Sequence, residues 1–191
     1  TKFTVDGDKI RFGLGSIKNV GTSAVDEIVA ERDRNGQFKD FTDFCERIQE
    51  TNVNKKCIES LIKAGAFDEF NETRRTLMES FESILDTITS SNKKELEGQV
   101  NMFDLGGSDS KEMKYTFKEF PEYSRKELLF MEKEMLGLYI SGHPLDNIRH
   151  QIEMQTNINS FQMRQMENTD EIGDEIRQEI KDGQMVKYAG I

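Results

Sequence analysis

A chain of 191 residues holds one domain or two small ones, and with 35% hydrophobic residues and no Trp its core is modest. Its 26 Lys and Arg against 36 Asp and Glu, a net charge of −10, argue against a tight, purely electrostatic hold on nucleic acid, because phosphate contacts are made by Lys and Arg. No apolar run of about 18 residues and no basic-then-apolar leader is present, so neither a membrane span nor a signal segment is expected.

Phe3–Val5 and Lys9–Phe12 are short β-like runs about the turn Asp6-Gly7-Asp8. The glycine-rich stretch Gly13 to Gly21 follows, and Thr22 or Ser23 is expected to cap a helix to about Arg34, with Val25, Ile28 and Val29 at helical spacing. Asn35-Gly36 stops it. A second amphipathic helix starts near Thr42 and carries Phe41, Phe44, Cys45 and Ile48; a third runs Asn54 to Ala64, with Cys57, Ile58, Leu61 and Ile62 inward, and ends at Gly65. Cys45 and Cys57 show no CxxC pattern and read as reduced thiols of a cytoplasmic protein; His143 and His150 are too distant in sequence to complete a metal site.

Glu72 to Ile88 reads as a fourth helix, with Leu77, Met78, Phe81, Ile84, Leu85 and Ile88 on one face. Residues 89–112 read as a polar, glycine-rich tether and 113–123 as extended or irregular. Ser124 to Ile140 reads as a long helix with Leu128, Met131, Met135, Leu138 and Tyr139 as its buried stripe. Ser141-Gly142 breaks it, and Pro144 is expected at the first turn of another helix. Weaker helices are expected from Ser160 to Met166 and from Glu175 to Ile180. Asp182-Gly183 then makes a turn, and Met185–Ile191 begins a strand. A start at Thr1 without Met, and an end inside that strand, point to a piece cut from a longer protein.

Two features carry chemistry. A tight glycine turn before a helix, as at Val20-Gly21, aims backbone amides outward beside the helix's own free N–H groups and positive dipole end. Such a turn can grip phosphate with little side-chain charge, and Lys18 adds one cation. This is the helix-hairpin-helix device for holding a DNA backbone without reading sequence. Lys18, Val20, Gly21 and Thr22 are therefore candidate backbone contacts, with Lys63 and Gly65 at a second such turn, where a plain helix cap is the simpler reading. Gly13-Leu14-Gly15 does not make a dinucleotide fingerprint, since Lys18 stands at the third glycine, and Thr22 stands where a P-loop needs lysine.

The second feature is Gln99-Val100-Asn101-Met102-Phe103, with Leu105 following, between polar flanks. Large apolar residues displayed on a tether gain nothing in water. Each contributes about 1.5–3 kcal/mol when buried in a partner's pocket, and after ordering costs the binding is of order micromolar. The competing reading is that the pair folds onto the protein's own core.

Gly13 through Gly21, Phe38-Lys39-Asp40-Phe41 through Phe44-Cys45, Leu61 through Asp68, and Glu134 through Leu145 resemble the helix-hairpin-helix region of the bacterial replicative DNA polymerase III alpha subunits (C-family). The resemblance implies a mainly α fold: a tandem helix-hairpin-helix domain over 1–90, a flexible loop with a clamp-binding motif over 91–112, a helical extension over 113–158, and over 159–191 the lead-in and first strand of a truncated oligonucleotide-binding β-barrel. It implies that Gln99, Met102 and Phe103, with Leu105, match the Gln-x-x-(Leu/Met)-Phe peptide that docks on the sliding clamp (the beta subunit). It further implies a non-catalytic region that contacts duplex DNA, with room for other replisome subunits, no membrane and no cofactor of its own. The parent polymerase's Mg2+ and aspartates belong elsewhere. Two alternatives compete: a helix-hairpin-helix base-excision glycosylase with Asp40 as catalytic acid, although Asp40 reads better as a helix cap, and a plain interaction scaffold.

Overall fold

In a computed structural model of the chain, helix dominates and a single two-stranded sheet accompanies it among the described residues. Those residues are 3–96 and 117–159, together with 163, 183 and 185–189, without the side chains of 6, 9 and 92–96. The chain divides into two units, Thr1–Ser141 and Gly142–Ile191.

In the first unit, β1 (Thr4–Asp6) and β2 (Lys9–Arg11) pair antiparallel, Val5 opposite Ile10, across a turn in which Gly7 takes φ 61°. A 3-10 turn, Leu14–Ser16, leads to α1 (Thr22–Asn35). The N-cap of α1 is Gly21, with no side-chain capping bond, so neither Thr22 nor Ser23 caps the helix as expected; both already lie inside it. Helix α2 (Phe41–Ile48) is capped by Asp40, whose carboxylate accepts the Asp43 amide at 2.8 Å. Asn54 does the same for α3 (Lys55–Lys63) through the Cys57 amide at 2.9 Å. The turn between α1 and α2 is fixed by Arg47: it bonds the Glu31 carboxylate at 2.9 Å, the Gly36 carbonyl at 2.9 Å and lies 4.3 Å over the Phe38 ring.

Helix α4 runs Arg74–Leu96, starting two residues after the expected Glu72 and ending eight residues beyond Ile88. Thr73 opens it by accepting the Thr76 amide at 3.1 Å, and Glu122 accepts the Arg74 amide at 2.8 Å. The extension is polar but not helix-averse: the hydroxyls of Thr87, Thr89 and Ser90 donate to carbonyls one turn back instead of competing with the helix.

Helix α5 is Arg125–Leu136, begun by a Ser124/Glu127 capping box and ended by Gly137 at φ 75°. It stops four residues short of the expected Ile140. Its buried face is Leu129, Glu132 and Met135; of the expected stripe Met135 is buried as expected, Leu128 and Met131 are half-buried, Leu138 is exposed, and Tyr139 lies beside the Lys133 ammonium. Counting apolar positions skipped Glu132, and so placed the face a step around the helix.

The core gathers the inward faces of α1 to α4 with Met135 of α5. Phe67 meets Phe41 and Phe44 edge to face, at centroid distances of 5.0 and 4.8 Å.

In the second unit, a 3-10 turn, Asp146–Ile148, precedes α6 (Arg149–Gln155). Pro144 sits ahead of both, in a turn closed by the His143 amide on the Asp146 carboxylate at 2.7 Å, rather than in the first turn of a helix. Residues 185–189 form no strand ladder; Lys187 instead exchanges backbone and side-chain bonds with Asn157. Of the helix expected over 160–166 only Met163 is described, its amide bonded to the Asn159 carbonyl at 3.1 Å. The helix expected over 175–180 lies outside the described residues.

Candidate nucleic-acid interface

The two glycine turns prove to be chemically unlike. In the first, Ile17 and Val20 are buried anchors, and Lys18, Gly21 and Thr22 are exposed. The left-handed residue is Asn19, at φ 65°; Gly21 itself is extended at φ −73°. Asn19 is held there by its amide on the Ser60 hydroxyl of α3 at 3.2 Å. The Lys18 amide donates to the Met135 carbonyl at 2.9 Å and the Val20 amide to Ile17 at 3.1 Å. No side chain caps α1, so its opening amides lack a capping acceptor at the positive end of the helix. The Lys18 ammonium has no ion pair among the described residues. Glu27, one of two carboxylates near this end, is turned onto the Asn52 amide and side chain, and Asp26 is exposed.

At the second turn the amides are already spent. The Gly65 amide bonds the Ile62 carbonyl at 3.0 Å and the Ala66 amide bonds Leu61 at 3.0 Å, the paired closure that satisfies the last carbonyls of a helix. Gly65 has φ 78°, and a Cβ there would lie 2.2 Å from the Arg74 Nη2 and 2.7 Å from an Asp68 carboxylate oxygen. The cations nearby are paired too: Lys63 and Lys56 with Glu59 at 2.7 and 2.8 Å, and Lys55 with Asp86 at 2.9 Å. The hydrogen bonds from Lys56 and then Lys63 hold the Glu59 carboxyl below its usual range. The Gly65 and Ala66 amides are therefore not open to an anion, and the Lys63 ammonium already has a carboxylate partner.

Sequence reasoning missed Asn19, although Asn tolerates the left-handed region and this was a readable signal. It also missed the pairing of Arg74 with Glu132, 58 residues apart, for which no local pattern exists. Asp40 is occupied as a helix cap. Gln99, Met102, Phe103 and Leu105 lie outside the described residues. Among the described residues, no three His, Cys, Asp or Glu side chains are grouped to hold a metal ion, and no helix is long and apolar enough to cross a membrane.

A family model described as a helix-hairpin-helix motif matches residues 1–77. The chain is 38% identical over 159 residues to the DNA polymerase III subunit alpha of Borreliella burgdorferi, an overlap of 83% of this chain and 14% of that protein. It is 44% identical over 147 residues to the protein of the same name from Deinococcus radiodurans, covering 75% of this chain and 11% of the relative. With the Mycobacterium leprae protein it shares 40% identity over 155 residues, 80% of this chain and 13% of the relative. The chain thus spans no more than about one seventh of the length of these curated relatives.

Proposed function

We propose, from the premise that this chain belongs to the bacterial DNA polymerase III alpha-subunit family, that it is a non-catalytic region of a replicative DNA polymerase that holds duplex DNA and the sliding clamp together. The observation that carries the duplex half is the first turn: a helix start with no side-chain cap beside an exposed Lys18 that has no ion pair among the described residues. Such a site grips phosphate without reading bases. Lys18, Val20, Gly21 and Thr22 make the principal contact, with Val20 anchoring the turn from inside; Lys63, beside Gly65, adds a weaker one.

The clamp half rests on the sequence of Gln99, Met102, Phe103 and Leu105. Met102 and Phe103 fill apolar pockets on the clamp, and the Gln99 amide bonds the pocket rim. In this reading the linker is residues 97–112, because 91–96 belong to α4, and Met185–Ile191, which forms no ladder among its described residues, pairs as the first strand of an oligonucleotide-binding barrel only with strands of the longer protein. The region works in the bacterial cytoplasm. The longer protein's Mg2+ is assigned to none of the residues described here.

The test has two arms. A peptide of residues 97–106 binds purified bacterial clamp at about micromolar affinity, and alanine at Met102 and Phe103 abolishes that binding. The 191-residue chain retards duplex DNA at low ionic strength, and Lys18→Ala weakens this uniformly across sequences, lowering the salt slope by about one. A peptide that binds no better than its alanine version sinks the clamp half. Equal retardation by wild type and Lys18→Ala sinks the duplex half.

A further inference from the structure

Helix α5 touches both turns. Near its C-terminal end the Met135 carbonyl accepts the Lys18 amide of the first turn at 2.9 Å. One turn earlier lies Glu132, only 2% exposed. One of its oxygens faces the Arg74 Nη2 at 3.3 Å, and the other accepts the amides of Ile140 at 3.1 Å and Ser141 at 3.0 Å. Arg74 in turn forks onto Asp68, with Nε 2.8 Å from one oxygen, donates to the Lys63 carbonyl at 3.2 Å, and covers Gly65. A buried ion pair is poor evidence for stability as such, because well-packed apolar residues often do as well. What it supplies here is geometry. Removing the Glu132 charge leaves Arg74 only its fork onto Asp68 and the Lys63 carbonyl, and removing Arg74 leaves a buried carboxylate held by two amides alone, so the pair favours one seat of α5 beside the second turn.

We propose that Arg74 and Glu132 are positioning residues of the duplex-contacting surface: their buried pair seats α5 on the second turn, and α5 fixes the first turn through the Lys18 amide, so both turns are presented at one spacing. This rests on the duplex reading above. Two shallow grips on a regular backbone act together only if their separation is set in advance; otherwise ordering them consumes the binding energy.

The experiment uses the intact 191-residue chain carrying Glu132→Gln. Amide hydrogen exchange followed by NMR is expected to show the Lys18, Ile140 and Ser141 amides exchanging about tenfold faster or more, with those of Leu61 and Ile62 in α3 unchanged. Duplex affinity is expected to fall several-fold, and Lys18→Ala, which weakens the wild type, is expected to weaken Glu132→Gln by less. Purely structural damage would leave the two effects additive. Unchanged protection at Lys18 overturns the inference, and so does a folded Glu132→Gln that binds duplex as wild type does while Lys18→Ala weakens binding. If Lys18→Ala has no effect in either background, it is the duplex reading that fails. Should Glu132→Gln not fold, Arg74→Lys replaces it, keeping the charge while losing the fork onto Asp68, with the same two readouts.

Discussion

Glu132 illustrates how a single side chain resists sequence reading and yet is open to a simple test. Burial pushes its carboxyl pKa up, but the Ser141 and Ile140 amides and the Arg74 guanidinium outweigh burial and hold it below its ordinary 4.5. A carboxyl whose pKa is depressed in the folded state adds stability that is fully present above the unfolded value and is lost as pH falls through the folded value. The Tm of the wild type is therefore expected to drop as pH is lowered below about 4.5, where the unfolded carboxyl begins to take up protons. Glu132→Gln should start from a lower Tm at neutral pH and show a shallower acid limb. Parallel limbs for the two proteins would show that Glu132 does not sense its partners. The Asp40 cap, by contrast, was legible: Asp40 ahead of Phe41 was read as a helix cap and is one, whereas the cap expected at Thr22 or Ser23 is Gly21. A cap acts over three residues of chain, whereas the Arg74–Glu132 pair forms only after α4 and α5 have met.

At the scale of elements, periodicity found every helix of the first unit and misjudged mainly their limits. Cys57, Ile58, Leu61 and Ile62 are the buried face of α3 as expected. On α4, Leu77, Phe81, Ile84 and Ile88 are buried as expected, with Met78 and Leu85 packed at the margin. Phe81→Ala is expected to cost about 3–5 kcal/mol, read from urea denaturation, because the ring leaves a cavity among packed helices; an unaltered midpoint would place that face outside the core. The end of α4 was missed because Ser, Thr and Asn were taken for loop residues, while Thr87, Thr89 and Ser90 bond along the helix. The end of α5 was missed for the opposite reason. Leu138, Tyr139 and Ile140 kept the chain looking helical, although Gly137 could take the left-handed turn that Lys133 then closes. Of the candidate site, the first turn could be located from its glycines, but its left-handed residue is Asn19 and its support comes from Met135, 117 residues further along.

For the whole molecule, a charge of −10 sets the terms on which it can hold DNA. With most cations near the second turn already paired, the account needs a weak, sequence-blind grip at the first turn and a second attachment through Gln99, Met102, Phe103 and Leu105 to a ring around the same duplex. Two weak contacts on one assembly combine through effective concentration, which leaves each free to slip while the whole stays attached. The decisive measurement is the affinity of the 191-residue chain for a clamp loaded on closed duplex, set against its affinities for clamp alone and duplex alone. The account predicts binding about a hundredfold tighter than to either component, lost when Met102 and Phe103 are both alanine and markedly reduced by Lys18→Ala. Binding to the loaded clamp no tighter than to its better component, or left intact by the Met102→Ala, Phe103→Ala pair, would contradict it.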